Sequence, residues 1–170
     1  MPRSTRLLLV VAFFASGAAG LGYQVAWGRW LDGVFGASAW AVAVVVAAFM
    51  AGLALGSVVA GRRLQGSGRD PLVLYGVVEL GIAAWALLLP WLLEGVSAVV
   101  GTWAFAWVEA RLLYNGIRFA LAFAVLLVPT TLMGATLPLL AAEVGRRSSH
   151  ATRWVGLLYG LNTLGAMVGT

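Results

Sequence analysis

Residues 39–60 read AWAVAVVVAAFMAGLALGSVVA, an apolar stretch without a single charge. A helix of about 20 such residues crosses the ~30 Å hydrocarbon core of a bilayer. Similar runs recur along the chain and are separated by short segments that carry arginine. The sequence therefore predicts an all-α, polytopic transmembrane bundle in a single domain, with spans at residues 7–28, 39–60, 72–93 and 118–140 and an incomplete fifth span at 154–170.

The composition of the chain supports a membrane protein. Of its 170 residues, 62% are hydrophobic and 10% are charged, against roughly 25% charged residues in soluble domains. The pI near 10.8 would suggest nucleic acid in a soluble protein, but these arginines lie at the ends of apolar runs. We therefore expect the lipid bilayer as partner, and no nucleic acid. The chain has no cysteine, His150 has no second ligand nearby, and no catalytic residue, metal or cofactor is predicted.

The positions of the arginines predict the orientation. Eight of them precede the first run or lie between runs two and three or between runs four and five: Arg3, Arg6, Arg62, Arg63, Arg69, Arg146, Arg147 and Arg153. Short cytoplasmic loops carry an excess of Lys and Arg. The pattern predicts a multi-pass protein of the cell (inner or plasma) membrane with its N-terminus in the cytoplasm.

Two segments allow a second interpretation. Residues 1–20 have the outline of a secretory signal peptide, but the apolar run continues beyond the length of such a segment. Residues 94–117 are interrupted by Glu94, Glu109 and Arg111, and we interpret them as an amphipathic segment at the outer interface anchored by Trp103 and Trp107. A re-entrant hairpin remains an alternative for this segment.

Small residues indicate where helices pack closely. Gly52 and Gly56 lie in a stripe of small residues at four-residue spacing in the second run. Ser16 and Gly20 give the first run a similar small face, and the fifth run repeats the spacing twice, at Gly156 and Gly160 and at Gly165 and Gly169. Helices in lipid associate through such faces because backbones can approach closely there. The pattern predicts tight helix contact, as in any glycine-rich membrane protein, or faces along which helices slide.

Polar residues at a similar depth form the first candidate site. Glu79 lies ~10 Å, Asn162 ~12 Å and the Thr130–Thr131 pair ~14–15 Å from the inner ends of their runs. Tyr75 and Tyr159 precede Glu79 and Asn162 by four and three residues, so each can share a face with its neighbour. Pro129 is expected to free a carbonyl towards a cavity. Intramembrane acids tend to be functional, so Glu79 is a candidate cation or proton site. A structural hydrogen bond from Glu79 to Asn162 or Thr131 is the alternative.

A second polar cluster is predicted near the outer surface. Gln24 lies ~25 Å along the first run, and Arg29 and Asp32 follow it. They are interpreted either as an outer polar cluster or as an interfacial cap of the helix.

Five segments together resemble a known family. They are SGAAGLGYQVAWGRWL (16–31), AAFMAGLALGS (47–57), LYGVVELGIAAWALLLP (74–90), PTTLMGATLPLL (129–140) and LYGLNTLGAMVG (158–169). In this order they are similar to the N-terminal membrane domain of bacterial proteins that fuse a major-facilitator-like part to a spermidine synthase-like part. The resemblance implies a cytosolic aminopropyltransferase domain, with a Rossmann-like core that binds decarboxylated S-adenosylmethionine. This chain contains no counterpart of that domain's catalytic residues.

Three functions are consistent with these features. In the first, the chain is the membrane module of a synthase-like fusion protein, which it anchors or supplies with substrate. In the second, it is part of a secondary transporter that uses Glu79 as a cation or proton site. In the third, it is a helix-packing assembly module. Because the fifth run ends without a polar flank, we expect it to be part of a longer protein.

Overall fold

The structure, a computed structural model, describes residues 3–35, 39–64, 68–103 and 111–170. These residues form five α-helices: α1 (Arg3–Phe35), α2 (Ala39–Leu64), α3 (Pro71–Trp103), α4 (Arg111–Arg147) and α5 (Ala151–Val168). The prediction of an all-α fold is confirmed. Four of the helices, α1 to α4, are long and apolar enough to cross a membrane, whereas α5 has 18 residues and corresponds to the run predicted to be incomplete.

The helices extend beyond the predicted apolar runs. Residues 94–103 continue α3, and residues 111–117 begin α4, because residues such as Glu94 and Arg111 interrupt an apolar pattern without opposing a helix. The described parts of the segment predicted to be a separate amphipathic element thus belong to two long helices. Its interfacial location stays a prediction, and Trp107 lies outside the described residues.

Local signals define the start of α3. Pro71 occupies the first helical position, where its missing N–H costs nothing. Asp70 precedes it and accepts a hydrogen bond from the Leu72 N–H at 2.9 Å, which satisfies one of the free donors of the first turn. Asp70 therefore caps the first turn of α3.

Two apolar clusters form the core at opposite ends of the bundle. The first, towards the end that carries few arginines, includes Trp27 of α1, Phe49 of α2, Leu89 of α3 and Leu126 of α4. The second, towards the arginine-rich end, joins α1, α3, α4 and α5 through Leu9, Phe13, Tyr75, Leu139, Leu140, Val144 and Leu158. Tyr75 of the first candidate site belongs to the second cluster, whereas Glu79 and Thr130 lie along α3 and α4 between the two clusters.

Two helix pairs have the closest contacts. A side chain at Gly52 or Gly56 would overlap Thr130 or the Thr131 carbonyl of α4, and one at Gly134 would overlap Leu53 of α2. The stripe in α2 therefore packs against α4 of the same chain. In the second pair, α1 and α5, Gly165 and Gly169 lie against the backbone of Phe14 and Ala18, and Gly17 lies against Asn162.

Gly156 and Gly160 make no close helix contact with the rest of the described chain, and their packing role stays a prediction. Apart from the surrounding residues of α5 itself, no described atom lies within 4 Å of the position that a Cβ would take at either glycine. The face of α5 that meets α1 instead carries Asn162, Gly165 and Gly169. Glycine spacing of four occurs twice in α5, but Gly160 and Gly165 are five residues apart and so lie on different faces.

Candidate functional site

Glu79 of α3 is bound by a hydroxyl from α1. The Ser16 hydroxyl donates a hydrogen bond to Glu79 Oε1 at 2.7 Å, and both side chains are half-buried. The bond joins two membrane-length helices. An O–H···O bond to a carboxylate in a poorly hydrated setting is one of the stronger interactions available to a helix pair.

Tyr75 lies one turn before Glu79 on the same face of α3. Its side chain is 5% exposed, and its hydroxyl lies near the Glu79 carboxylate and Ser16. Within the described part of the chain, however, this hydroxyl makes no hydrogen bond of standard geometry. Tyr75, Ser16 and Glu79 therefore form a small polar group, the Glu79 group, with a donor still to be satisfied.

A cavity of about 60 Å³ adjoins the Glu79 group. Its lining comes from α1, α3 and α4: Ser16, Ala19, Gly20, Tyr23, Glu79, Ile82, Ala83 and Met133. A water molecule occupies ~30 Å³ of the liquid and needs two or more polar partners. The cavity thus has room for a water or a small cation against the carboxylate, although it is far too small for an extended organic substrate.

The threonines predicted for the same site lie at another interface. Thr130 is fully buried, and its hydroxyl lies 3.0 Å from the Ala48 carbonyl of α2 and 2.8 Å from the Leu126 carbonyl of α4. The Thr131 hydroxyl donates to the Leu127 carbonyl at 2.6 Å. Both threonines are therefore used in helix packing between α2 and α4, and neither hydrogen-bonds to Glu79.

Asn162 and Tyr159 are separated by the rotation of α5. The Asn162 amide donates to the Phe13 carbonyl of α1 at 3.2 Å, so it reaches α1 within one turn of Ser16. Tyr159 lies outside the face of α5 that meets α1, and its side chain is 62% exposed. The structure thus places Asn162 at the α1–α5 interface, three residues from Ser16 along α1, and places Tyr159 outside that interface.

The prolines of α4 free two carbonyls, and both are hydrogen-bonded to neighbouring helices. Pro129 has no N–H for the Val125 carbonyl, which instead accepts a bond from the Trp85 indole of α3 at 3.2 Å. Pro138 likewise frees the Gly134 carbonyl, and the Ser57 hydroxyl of α2 donates to it at 3.0 Å. The expected free carbonyl beside Pro129 is therefore not open to a cavity.

The three residues of the predicted outer cluster line one groove. Gln24, Arg29 and Asp32 of α1 face Val42, Val45 and Val46 of α2 across a space of about 370 Å³. Arg29 and Asp32 are exposed and Gln24 is half-buried. The groove is open and has an apolar wall, so its polar residues lie on one side only.

Sequence reasoning missed two residues. Ser16 belongs to the predicted small-residue face of the first run, although the same count of helical rise places it ~13 Å from the inner end of that run, at a depth similar to that of Glu79. Glu143 follows the fourth apolar run, so the sequence does not predict it as a membrane residue. In the structure α4 continues past it, and its side chain is completely buried. Glu143 forms an ion pair with Arg147 one turn later.

Within the described ranges no group of three or more His, Cys, Asp or Glu residues could hold a metal ion. What the Glu79 group can do is chemically simple. A carboxyl flanked by two hydroxyls can accept or release one proton, or bind one small cation, beside a water-sized space.

Comparison with known proteins gives one informative similarity. The chain is 30% identical over 168 residues to Polyamine aminopropyltransferase 1 of Streptomyces coelicolor. The match covers 98% of this chain and 28% of that protein, so the chain spans little more than a quarter of its relative's length. No family profile matches the chain, and no solved structure matches it significantly.

Proposed function

We propose that this chain is the membrane module of a polyamine aminopropyltransferase-like protein. The observation that carries the proposal is the alignment of nearly the whole chain with 28% of a protein of that name. In the same chain, four helices have the length and hydropathy of membrane spans. The proposal assigns aminopropyl transfer to sequence outside this chain, and assigns to these helices the anchoring of that activity or the supply of its substrate.

The arginine-rich ends of the helices support a cytoplasmic location for that activity. Arg62 and Arg63 lie in the last turn of α2, and Arg146 and Arg147 lie in the last turn of α4. With the N-terminus in the cytoplasm of a plasma membrane, these ends face inward. The α5 helix then runs outward, and a cytosolic domain requires a further return across the membrane.

Fractionation of the full encoded protein tests the proposal. Membranes that contain the intact protein are expected to transfer an aminopropyl group to labelled putrescine, with decarboxylated S-adenosylmethionine as donor. The activity should resist extraction by alkaline carbonate and should be released by detergent. An intact, membrane-embedded protein without aminopropyl transfer would contradict the assignment.

Cysteine accessibility tests the orientation separately. The chain has no cysteine, so Ser149→Cys at the arginine-rich end and Ser97→Cys near the opposite end of α3 each add one reporter to it. Both serines are exposed. A membrane-impermeant maleimide added to right-side-out vesicles should label Ser97→Cys and spare Ser149→Cys; the reverse pattern would overturn the orientation.

The Glu79 group favours a second candidate function, secondary transport coupled to a proton or cation. The observation that supports this candidate is a half-buried carboxylate, bound by the Ser16 hydroxyl at 2.7 Å, next to a cavity of about 60 Å³. Transport requires such a group to change its charge. Glutamine at position 79 would keep an oxygen acceptor for Ser16 but could not titrate.

Proteoliposomes distinguish the two candidates. Putrescine uptake driven by a pH gradient should be lost in Glu79→Gln and retained in the control Glu94→Gln, which removes an exposed carboxylate from the same helix. Unchanged uptake in Glu79→Gln would exclude the coupling role, and absence of uptake by the unsubstituted protein would exclude transport of putrescine. Neither result would affect the fractionation experiment.

The assembly function is not proposed further. The GxxxG face of Gly52 and Gly56 contacts α4 of the same chain, so a partner helix cannot use it without displacing α4.

A further inference from the structure

The arginine-rich end of the bundle carries an open cavity that the proposed function does not use. Its volume is about 730 Å³. It lies where the start of α1, the end of α4 and the start of α5 meet. Its lining residues are Arg6, Arg147, Ser148, Ser149, His150, Arg153, Trp154 and Leu157. Three of these are arginines and none is acidic.

The three arginines of the cavity differ in their surroundings. The Arg6 guanidinium lies over the Trp154 ring, 5.6 Å from its centroid, which fixes a cation from α1 beside α5. Arg147 pairs through Nε with the buried Glu143, and its two terminal nitrogens remain as donors. Arg153 is exposed and makes no ion pair within the described residues. One acid thus offsets three cations.

Two serines and His150 also line the cavity. The Ser148 hydroxyl accepts the His150 N–H at 3.2 Å, and the Ser149 hydroxyl lies 3.1 Å from His150 Nδ1. The His150 side chain does not cap α5, so the first N–H groups of that helix have no side-chain acceptor from this position. These donors add to the arginine charge at the same end of α5, where the helix dipole also favours an anion.

We propose that this cavity binds a phosphate group. Guanidinium groups bind phosphate oxygens through paired N–H donors, and the wall presents three of them from three separate helices. The volume exceeds that of phosphate alone, so the group can carry a substituent. Because the cavity lies at the ends of membrane-length helices, the phosphate is that of an anionic lipid headgroup or of a soluble ion from the adjoining solution.

Substitution of Arg153 tests the site with a matched control. Arg153→Gln removes one lining cation, whereas Arg146→Gln removes an exposed arginine in the last turn of α4 that does not line the cavity. Both variants have the same net charge. The full protein, purified in an uncharged detergent, is titrated with inorganic phosphate by calorimetry and with phosphatidylglycerol by native mass spectrometry; phosphatidylcholine is the lipid control.

The expected result is a loss of about tenfold in affinity, or about 1.4 kcal/mol, in Arg153→Gln and an unchanged affinity in Arg146→Gln. Saturable phosphatidylglycerol binding that inorganic phosphate does not displace assigns the site to a lipid headgroup. Binding of inorganic phosphate in lipid-free micelles assigns it to a soluble anion. Equal losses in both variants indicate diffuse charge and overturn the proposal, as does the absence of binding by either probe. Retained secondary structure in Arg153→Gln excludes loss through unfolding.

Discussion

The hydrogen bond from Trp85 to the Val125 carbonyl exists because Pro129 has no N–H to offer. Trp85→Phe removes the indole donor and leaves that carbonyl without a partner. Interhelical hydrogen bonds in membrane proteins contribute about 0.6 kcal/mol on average and up to about 1.7 kcal/mol, and an orphaned buried carbonyl costs about 1–3 kcal/mol. At a distance of 3.2 Å, we expect the bond to account for about 1 kcal/mol of the destabilisation.

A double-mutant cycle isolates this amount from the loss of ring volume. Pro129→Ala restores a backbone N–H that can bond to Val125, so Trp85→Phe should then cost about 1 kcal/mol less. Unfolding of the four proteins is measured by denaturant titration in mixed micelles. The control cycle pairs Trp85→Phe with Pro138→Ala, whose freed carbonyl at Gly134 is bonded to α2 instead. A coupling below ~0.3 kcal/mol with Pro129→Ala, or an equal coupling with Pro138→Ala, would refute the reasoning.

Three further predictions concern the same unfolding measurement. Gly52→Ala should destabilise by about 1–3 kcal/mol because the added Cβ overlaps Thr130. Gly160→Ala, where the neighbouring described residues leave space, should change stability by less than ~0.5 kcal/mol. Equal effects would contradict the assigned helix faces. Arg147→Gln should destabilise by about 1–2 kcal/mol because it leaves the buried Glu143 unpaired; this is less than for a fully buried pair, since Arg147 is 40% exposed. A simultaneous Glu143→Gln should recover part of the loss, and the absence of any recovery would show that the ion pair does not contribute. Thr130→Val should cost about 0.6–1.7 kcal/mol by removing the hydroxyl shared with α2, and no change would show that the bond is not formed.

The number and type of helices were predictable because long apolar runs have one stable form in a bilayer. Their ends were less predictable. Polar and charged residues such as Glu94 are compatible with helix, so the end of an apolar run marks the membrane surface and not the end of the helix. Hence α3 reaches Trp103, ten residues beyond the predicted span.

The candidate site was only partly predictable because depth can be counted from sequence but rotation cannot. Glu79, Asn162 and Thr130 lie at similar depths, yet α1 lies between the first two, and Thr130 is turned towards α2. The partner of Glu79, Ser16, has a small side chain that reads equally as a packing residue and as a donor. Choosing between these requires knowing which face of α1 meets α3.

The close backbone contacts divide the bundle into parts of unequal mechanical strength. The α2–α4 and α1–α5 pairs approach backbone to backbone at glycines, and α4 is also tied to its neighbours through the carbonyls freed by Pro129 and Pro138. Sliding α4 along α2 or α3 would strand those carbonyls in a medium without water. Moving α1 away from α3 breaks the Ser16–Glu79 bond and leaves the carboxylate without its donor from α1. The α1–α5 pair is therefore held to α3 by a side-chain bond, whereas α2 and α4 are held together backbone to backbone.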